Sequence, residues 1–578
     1  MDQTAISTPA RAGGEFFAAA LGPTQRRYEA LRAYLFEGLS GPAAAGRFGY
    51  RPETLASMVR DFRAGRRDFF VIGRPGPKVA PAKEAARDRI VELRHAGRSA
   101  YEIARVLAAE GTPLNRTGVA EVLAEQGFAR MWPRPHLLRG LPRREVLPRA
   151  AAIDFERWPE RCETRLAGLL LAVPELVALD LPGLVERAGY PGSKVIPAVS
   201  SLLSLLALKL VSLRRVSHVL DLAADPGAAL FAGLVALPKA TALTTYSYRL
   251  SHERQRRFLA ALGRAMLDSD LAVGRDFDLD FHAVMHWGED AALEKHYVPR
   301  RSQRTRSVLT FFAQDAGTHN LVYANADLSK AAQAREVLAF CDHWRSVSGA
   351  DPAMVVLDQR VTTQEVLGQL DRRGVHFITL RMRSPALIGH IEALGEKAWK
   401  SVSLDREGNY RKPQVVDEAV TLSIYPGTIR QLVVRGLGRE APTVIITNDL
   451  ELTAKALIER YARRMTIEQR LAEAIQSFHL DALASAVPLN VDLDVVLSVL
   501  AASVCASLRR RLGAGYAAAT PDTIQRRFLS TGGIVLKHGD TIIVRLDRRT
   551  YSPVLRSADI ADVTVPWWGG RRLHFEYA

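Results

Sequence analysis

The sequence predicts a multidomain protein. It has an all-α N-terminal region, a central α/β region built on a mixed sheet with a strand-rich block inside it, and a helical C-terminal region. Three observations carry this reading. The 578 residues exceed what a single hydrophobic core serves. The first 130 residues read as short helices punctuated by glycine, without a strand pattern. From residue 271 the texture changes to the order β-β-β-α-β-α-β, with period-two and period-3.6 stretches taking turns.

The N-terminal quarter contains two helical units. Residues 26–65 divide into a helix ending near Gly38, a short helix after Ser40 and a third opening at Arg51-Pro52, where proline suits the first turn. Residues 83–130 repeat the layout, with Gly97 and Gly111 stopping helices and Ser99 and Asn115 placed as N-caps. Short helix, tight turn and second helix form a helix-turn-helix, whose last helix enters a major groove. The expected reading helices are 52–64, with Arg60 and Arg63, and 115–126, with Arg116. The alternative is a pair of generic three-helix bundles. Residues 1–150 hold 25 Lys/Arg against 15 Asp/Glu, so +10 of the net +16 sits in the first quarter. Such concentration points to a polyanion partner, double-stranded DNA first among them. A Pro/Arg-rich connector, MWPRPHLLRGLPRREVLPR (131–149), within a linker placed at 131–154, suits an extended chain that follows phosphates.

Residues 155–270 read as mostly helical. The most apolar runs, 200–213 and 491–508, carry polar breaks and read as buried core helices rather than membrane spans. The N-terminus lacks a signal-peptide pattern, and Cys162, Cys341 and Cys505 are too widely spaced for a zinc knuckle or a redox pair. The expected location is therefore the cytoplasm, with association to a bacterial-type nucleoid.

In the central region the strand RDFDLDFHAV puts Asp276, Asp278 and Asp280 on one face and Phe277, Leu279 and Phe281 on the other. A hairpin-like pair (307–315 and 319–326) flanks Gly317, a helix covers 329–347, and the strand 353–358 ends on Asp358. A helix and the strand 375–383 follow. Residues 398–447 are rich in strand signals, 453–478 reads as one continuous helix, and 491–512 as another. The C-terminal region, 513–578, holds a hairpin turning at His538-Gly539-Asp540.

Like charges along one strand face repel unless a cation stands opposite them. Tyr461, Arg464 and Glu468, at i, i+3 and i+7, share one helix face. Asp280, Asp358 and Glu468 would thus bring carboxylates from three elements, the donor type that hard cations such as Mg²⁺ take. Two such ions about 4 Å apart serve in-line phosphoryl displacement. Each residue also has a plainer reading: Asp280 as a solvated edge-strand acid, Asp358 as a cap for the next helix, Glu468 as a surface partner of Arg464. Asp278 and Glu473 rank below Asp280 and Glu468. His282 reads equally as a structural residue, and Trp287 and Trp344 read as core.

With these residues in view, the sequence resembles a DDE transposase of the insertion-sequence 4 type. The resemblance is carried by DLDFHAVMHWGED, MVVLDQRVTT, FITLRMR and ITNDLELTAKALIERYARRMTIEQ, the last matching Tyr-x2-Arg-x3-Glu through Tyr461, Arg464 and Glu468. It spans roughly residues 200–510. It implies a ribonuclease-H-like catalytic domain over 271–397 and 448–512, interrupted by a β insertion at 398–447. It further implies Asp280, Asp358 and Glu468 as catalytic and metal-holding residues for two Mg²⁺ or Mn²⁺ ions, with Tyr461 and Arg464 contacting DNA. The activity so implied is cleavage of element ends and strand transfer by a dimer or larger multimer on DNA. The alternative is a catalytically inactive DNA-binding regulator, or a domesticated nuclease, of the same origin. The family pattern continues Glu-x6-Lys, and Ile475 stands at that position here.

Overall fold

Short helices with small apolar faces make up the first of the two units into which the chain divides, Met1–Arg143. The computed structural model describes residues 22–66, 69, 81–128, 148–286, 293–298, 303–358, 363–405, 411–438, 441–482 and 487–577. In the first unit α1 (Pro23–Leu35), α2 (Gly41–Arg47) and α3 (Pro52–Arg63) each carry proline at their first or second position. They enclose Ala30, Leu31, Ala45, Leu55, Met58 and Val59. A second small core, with Ile90, Leu93, Ile103, Leu107, Val119 and Val122, is enclosed by α4 (Pro81–Ala85), α5 (Arg87–His95), α6 (Ala100–Ala109) and α7 (Arg116–Glu125). Ser99 caps α6 in a reciprocal capping box with Glu102, and the Asn115 side chain accepts from the Gly118 amide at 2.7 Å. Gly97 and Gly111 adopt φ of 76° and 79°, the left-handed conformation that ends the preceding helix. Most of the Pro/Arg-rich connector, 129–147, lies outside the described residues.

The second unit, Arg144–Ala578, opens with β1 (Arg161–Thr164) and a run of mostly short helices, the longest of them α8 (Ala198–Leu210) and α9 (His252–Asp268). Its main sheet takes β2 (Asp276–Met285), β3 (Lys295–Val298), β4 (Gln303–Asp315), β5 (Leu321–Asn325), β6 (Met354–Leu357), β7 (His376–Leu380), β8 (Lys400–Ser401), β9 (Gln414–Thr421), β10 (Thr428–Arg435) and β11 (Thr443–Thr447). The order is β3-β4-β2-β6-β7-β11-β10-β9-β8, with β5 pairing the second half of β4. β2, β6 and β7 run parallel, crossed over by α10 (Glu336–Ser348) and α11 (Gln364–Arg372). The remaining pairs are antiparallel, so the sheet is mixed.

Four features depart from the expectations above. β3 is an added short strand, paired to the first half of β4. The strand-rich block 398–447 does not stand apart: β11 lies antiparallel to β7, giving the apolar edge of β7 its backbone partners and extending the one sheet. The helix expected over 453–478 is two helices, α12 (Ala454–Arg463) and α13 (Met465–Phe478), meeting at Arg464. There the Arg464 amide bonds Tyr461 O at 3.2 Å and the Ile467 amide bonds Arg464 O at 3.0 Å, both spanning three residues, a tightened turn.

The fourth concerns the C-terminal region. It is helical through α14 (Pro488–Arg511), and β12 (Gly533–His538) and β13 (Thr541–Leu546) form the hairpin expected at His538-Gly539-Asp540, but β14 (Val563–Val565) and β15 (Arg571–Tyr577) follow as well. They join β1 in a second sheet ordered β1-β12-β13-β15-β14. Buried and part-exposed residues alternate along β12 and β13, the period-two pattern that their six-residue lengths made hard to extend into a sheet. α14 is long and apolar enough to cross a membrane, yet 83% of its apolar window is buried inside the protein. Trp344 is buried and donates to Gly274 O at 2.9 Å, whereas Trp287 lies outside the described residues.

Candidate functional site: carboxylates gathered around Arg464

The site begins with the pleat of β2. Asp276, Asp278 and Asp280 share one face. β6 runs parallel to β2 with Leu357 opposite Leu279, so Asp358, the next residue, leaves the sheet beside Asp280. Neighbouring strands are about 4.8 Å apart, which sets the spacing of the two acids. The Thr379 hydroxyl, on β7, donates to Asp358 O at 3.3 Å. α13 packs on β2 and carries Glu468 in its first turn.

Arg464, at the joint between α12 and α13, is 4% exposed. Its Nη1 lies 3.8 Å from Asp280 Oδ2 and its Nη2 donates to Glu468 Oε1 at 3.1 Å. Its guanidinium carbon sits 5.7 Å from the centroid of the Tyr461 ring. Burial works against the Arg464 charge, yet Tyr461, Asp280, Asp358 and Glu468 together hold its pKa above the ordinary value. Burial pushes the Asp280 carboxyl up to about 6. Arg464 and the Phe281 amide, which donates to Asp280 Oδ1 at 2.9 Å, oppose that rise, while Glu468 and Asp358 add to it. The structure thus brings Asp280, Asp358, Glu468, Tyr461 and Arg464 into one neighbourhood.

The sequence alone places Asp278 below Asp280 and points to no partner for it, whereas the structure supplies one. Asp278 is 1% exposed and its Oδ1 accepts from Arg460 Nη1 at 2.6 Å. The available signal was spacing: Arg460 precedes Arg464 by one helical turn, as Asp278 precedes Asp280 by one pleat. Gln314, in register with Asp278 on β4, donates to the Thr466 hydroxyl at 3.0 Å, tying the start of α13 to the sheet. Glu473 pairs with Arg470 at 2.7 Å, Arg463 is exposed, and Ile475 is half-buried against the main core.

The candidate DNA contacts of the first unit lie on its surface. Arg60 and Arg63 are exposed on α3, Arg60 donating to the Ser57 hydroxyl at 3.3 Å, and Arg116 is exposed at the start of α7. The acids of α7 are occupied within its own bundle: Glu121 pairs with Lys83, and Glu125 with Arg87 at 2.9 Å.

Among the described residues no group of three or more His, Cys, Asp or Glu side chains is arranged to hold a metal ion, and Arg464 stands between the carboxylates instead. The donor chemistry fits a hard divalent cation. The oxygens are all carboxylate, they come from three elements, and burial with mutual repulsion disfavours the Asp280 charge.

A mixed sheet with one acid on a strand and a second just past the end of the adjacent parallel strand, closed by a helix pair that adds a third acid and an arginine, defines a carboxylate-centred α/β site. Residues 274–502, less than half of the chain, match the family model of the transposase DDE domain, and this segment contains Asp280, Asp358, Tyr461, Arg464 and Glu468. No curated protein matches the chain.

Proposed function

We propose that the protein is a DNA transposase of the insertion-sequence 4 type, cutting phosphodiester bonds at element ends and joining the freed 3′-hydroxyl to target DNA. The observation that carries this reading is the gathering of three carboxylates around Arg464 within the segment similar to the transposase DDE domain. The strand order β5-β4-β2-β6-β7 within the larger sheet supports a ribonuclease-H-like catalytic core over 271–397 and 448–512.

In this reading Asp280, Asp358 and Glu468 hold two divalent ions, Mg²⁺ or Mn²⁺. When bound, the ions activate the attacking oxygen and neutralise charge on the leaving one. Arg464 and Tyr461 orient the scissile phosphate beside Glu468. The helical units of residues 1–130 act as tandem helix-turn-helix modules. Arg60, Arg63 and Arg116 supply phosphate or base contacts, and the basic linker follows the backbone. Two element ends are processed by a dimer or larger multimer assembled on DNA, in the cytoplasm.

Incubation of the purified chain with DNA bearing the ends that flank its reading frame tests this. Divalent-dependent nicking, followed by joining of pre-cut 3′-ends to a target plasmid, is the expected result. Binding without cleavage supports a catalytically inactive regulator, and cleavage without joining supports a domesticated nuclease. The half-buried packing of Ile475 against the core, where the family pattern places lysine, is the observation that favours these rivals.

A further inference from the structure

We propose that Asp278 and Arg460 form a positioning pair that sets the register of the α12–α13 helices against β2, and so the mutual placement of Asp280, Arg464 and Glu468. The proposal rests on the reading above that Asp280, Asp358 and Glu468 hold divalent ions.

Asp278 and Asp280 are two residues apart on one face of a strand, about 6.6 Å. Arg460 and Arg464 are four residues apart on one side of a helix, about 6 Å. The two spacings match, and strand and helix meet as a ladder with two rungs. The inner rung, Arg460 Nη1 to Asp278 Oδ1, measures 2.6 Å, with side chains 10% and 1% exposed. The outer rung, Arg464 Nη1 to Asp280 Oδ2, measures 3.8 Å and opens toward Glu468, whose side chain is 47% exposed.

Stability alone does not account for the inner rung. Burying a carboxylate and a guanidinium costs solvation, and an apolar pair of similar volume commonly serves the folded state as well or better. Here the cost is larger still, because Asp278 Oδ2 and Arg460 Nε and Nη2 have no hydrogen-bond partner among the described residues. What the ion pair supplies and an apolar pair does not is direction: the single hydrogen bond from Arg460 Nη1 to Asp278 Oδ1 holds only near a short distance and a wide N–H···O angle, while methyl and methylene groups slide.

Direction matters at this position. A slip of the helix by one residue shifts it about 1.5 Å and turns it about 100°, enough to carry Arg464 and Glu468 off Asp280. Ligand sites demand placement within about 0.5 Å. The Gln314–Thr466 hydrogen bond, in register with Asp278, acts on the other side of the Arg464 joint in the same sense. Arg460 and Asp278 thus act through their neighbours rather than by touching ions or DNA.

Two double variants of the full chain test this. Asp278→Leu with Arg460→Met makes the pair apolar, and Asp278→Asn with Arg460→Gln keeps it polar without charge. The readouts are thermal melting and binding of Mn²⁺ alone, followed by electron paramagnetic resonance of the free ion without DNA. Both variants are expected to melt within a few degrees of wild type or above it. Their half-saturating Mn²⁺ concentration should rise at least about tenfold, with a matching fall in cleavage. Wild-type Mn²⁺ binding in either folded variant overturns the inference while leaving the transposase reading intact. Unfolding of both variants assigns the pair to stability and overturns it too. If wild type and Asp280→Ala alike bind no Mn²⁺, the reading of the site falls, and the inference with it.

Discussion

The two units of the molecule share surface ion pairs, as Arg161–Glu163 and Arg187–Asp180 show in the second, but differ in what they bury. In the first, the ion pairs stand at the surface, as in Lys83–Glu121, Arg87–Glu125 and Arg89–Glu110, each with at least one side chain more than a third exposed. In the second, Arg460–Asp278 is buried on both sides and Arg464 is enclosed among carboxylates. Water screens the first kind, so those pairs contribute little and can be rearranged by evolution or by a DNA backbone. The second kind is costly to assemble and costly to break, so each partner constrains the other's position. The contrast separates a surface suited to contacting a polyanion from an interior that keeps acids in fixed relation.

Five measurements sharpen or break that contrast, from the largest expected effect to the smallest. Replacing Asp280, Asp358 or Glu468 singly by alanine should lower divalent-dependent cleavage by about a thousandfold or more while leaving DNA binding in gel-shift assays unchanged. Retained cleavage in any of the three would remove that residue from the proposed site. Arg460→Met alone leaves Asp278 buried without its partner, and urea unfolding should report a loss of about 3–5 kcal/mol. A loss below 1 kcal/mol would mean that water reaches the pair and that the two units differ less than their burial indicates.

The third measurement concerns pH. A carboxyl whose folded pKa is raised stabilises the fold below its ordinary value of 3.8, and that contribution fades as pH climbs through about 6. Asp280→Asn lacks this dependence. In EDTA it should therefore equal wild type near pH 4 and exceed it by about 1–3 kcal/mol near pH 7.5. Parallel melting curves across that range would show Asp280 to be better solvated than its surroundings imply. The smallest effect belongs to the first unit: Glu121→Ala should change stability by no more than about 0.5–1 kcal/mol, less in high salt. On the same surface Arg60→Ala, Arg63→Ala and Arg116→Ala should each make the salt dependence of DNA binding shallower by about one, if each contacts a phosphate.

Much of this organisation was legible in the sequence, for local reasons. The alternation of Asp276, Asp278 and Asp280 announces a strand face, because side-chain direction follows backbone period, while the spacing of Tyr461, Arg464 and Glu468 announces a helical segment but not its break at Arg464. Ser99 with Glu102 announces a helix start, because the capping box closes within four residues. The extension of the main sheet was not legible, since the strand signals of 398–447 say nothing of which edge they will pair with. Nor was the second sheet, in which Arg161–Thr164 pairs with Gly533–Leu536 from the far end of the chain.

What the sequence by itself determined, then, is the run of strands and helices that carries Asp280, Asp358 and Glu468, and the side of each element that carries acids or arginines. Only the tertiary structure decided which of those groups meet. Arg460, Arg463 and Arg464 stand within five residues of one another, yet Arg460 turns to Asp278, Arg464 to Asp280 and Glu468, and Arg463 to solvent. That choice depends on the phase at which the helix pair docks on β2 and on the tightened turn at Arg464. Both are set by packing between segments 182 residues apart, where no local period reaches.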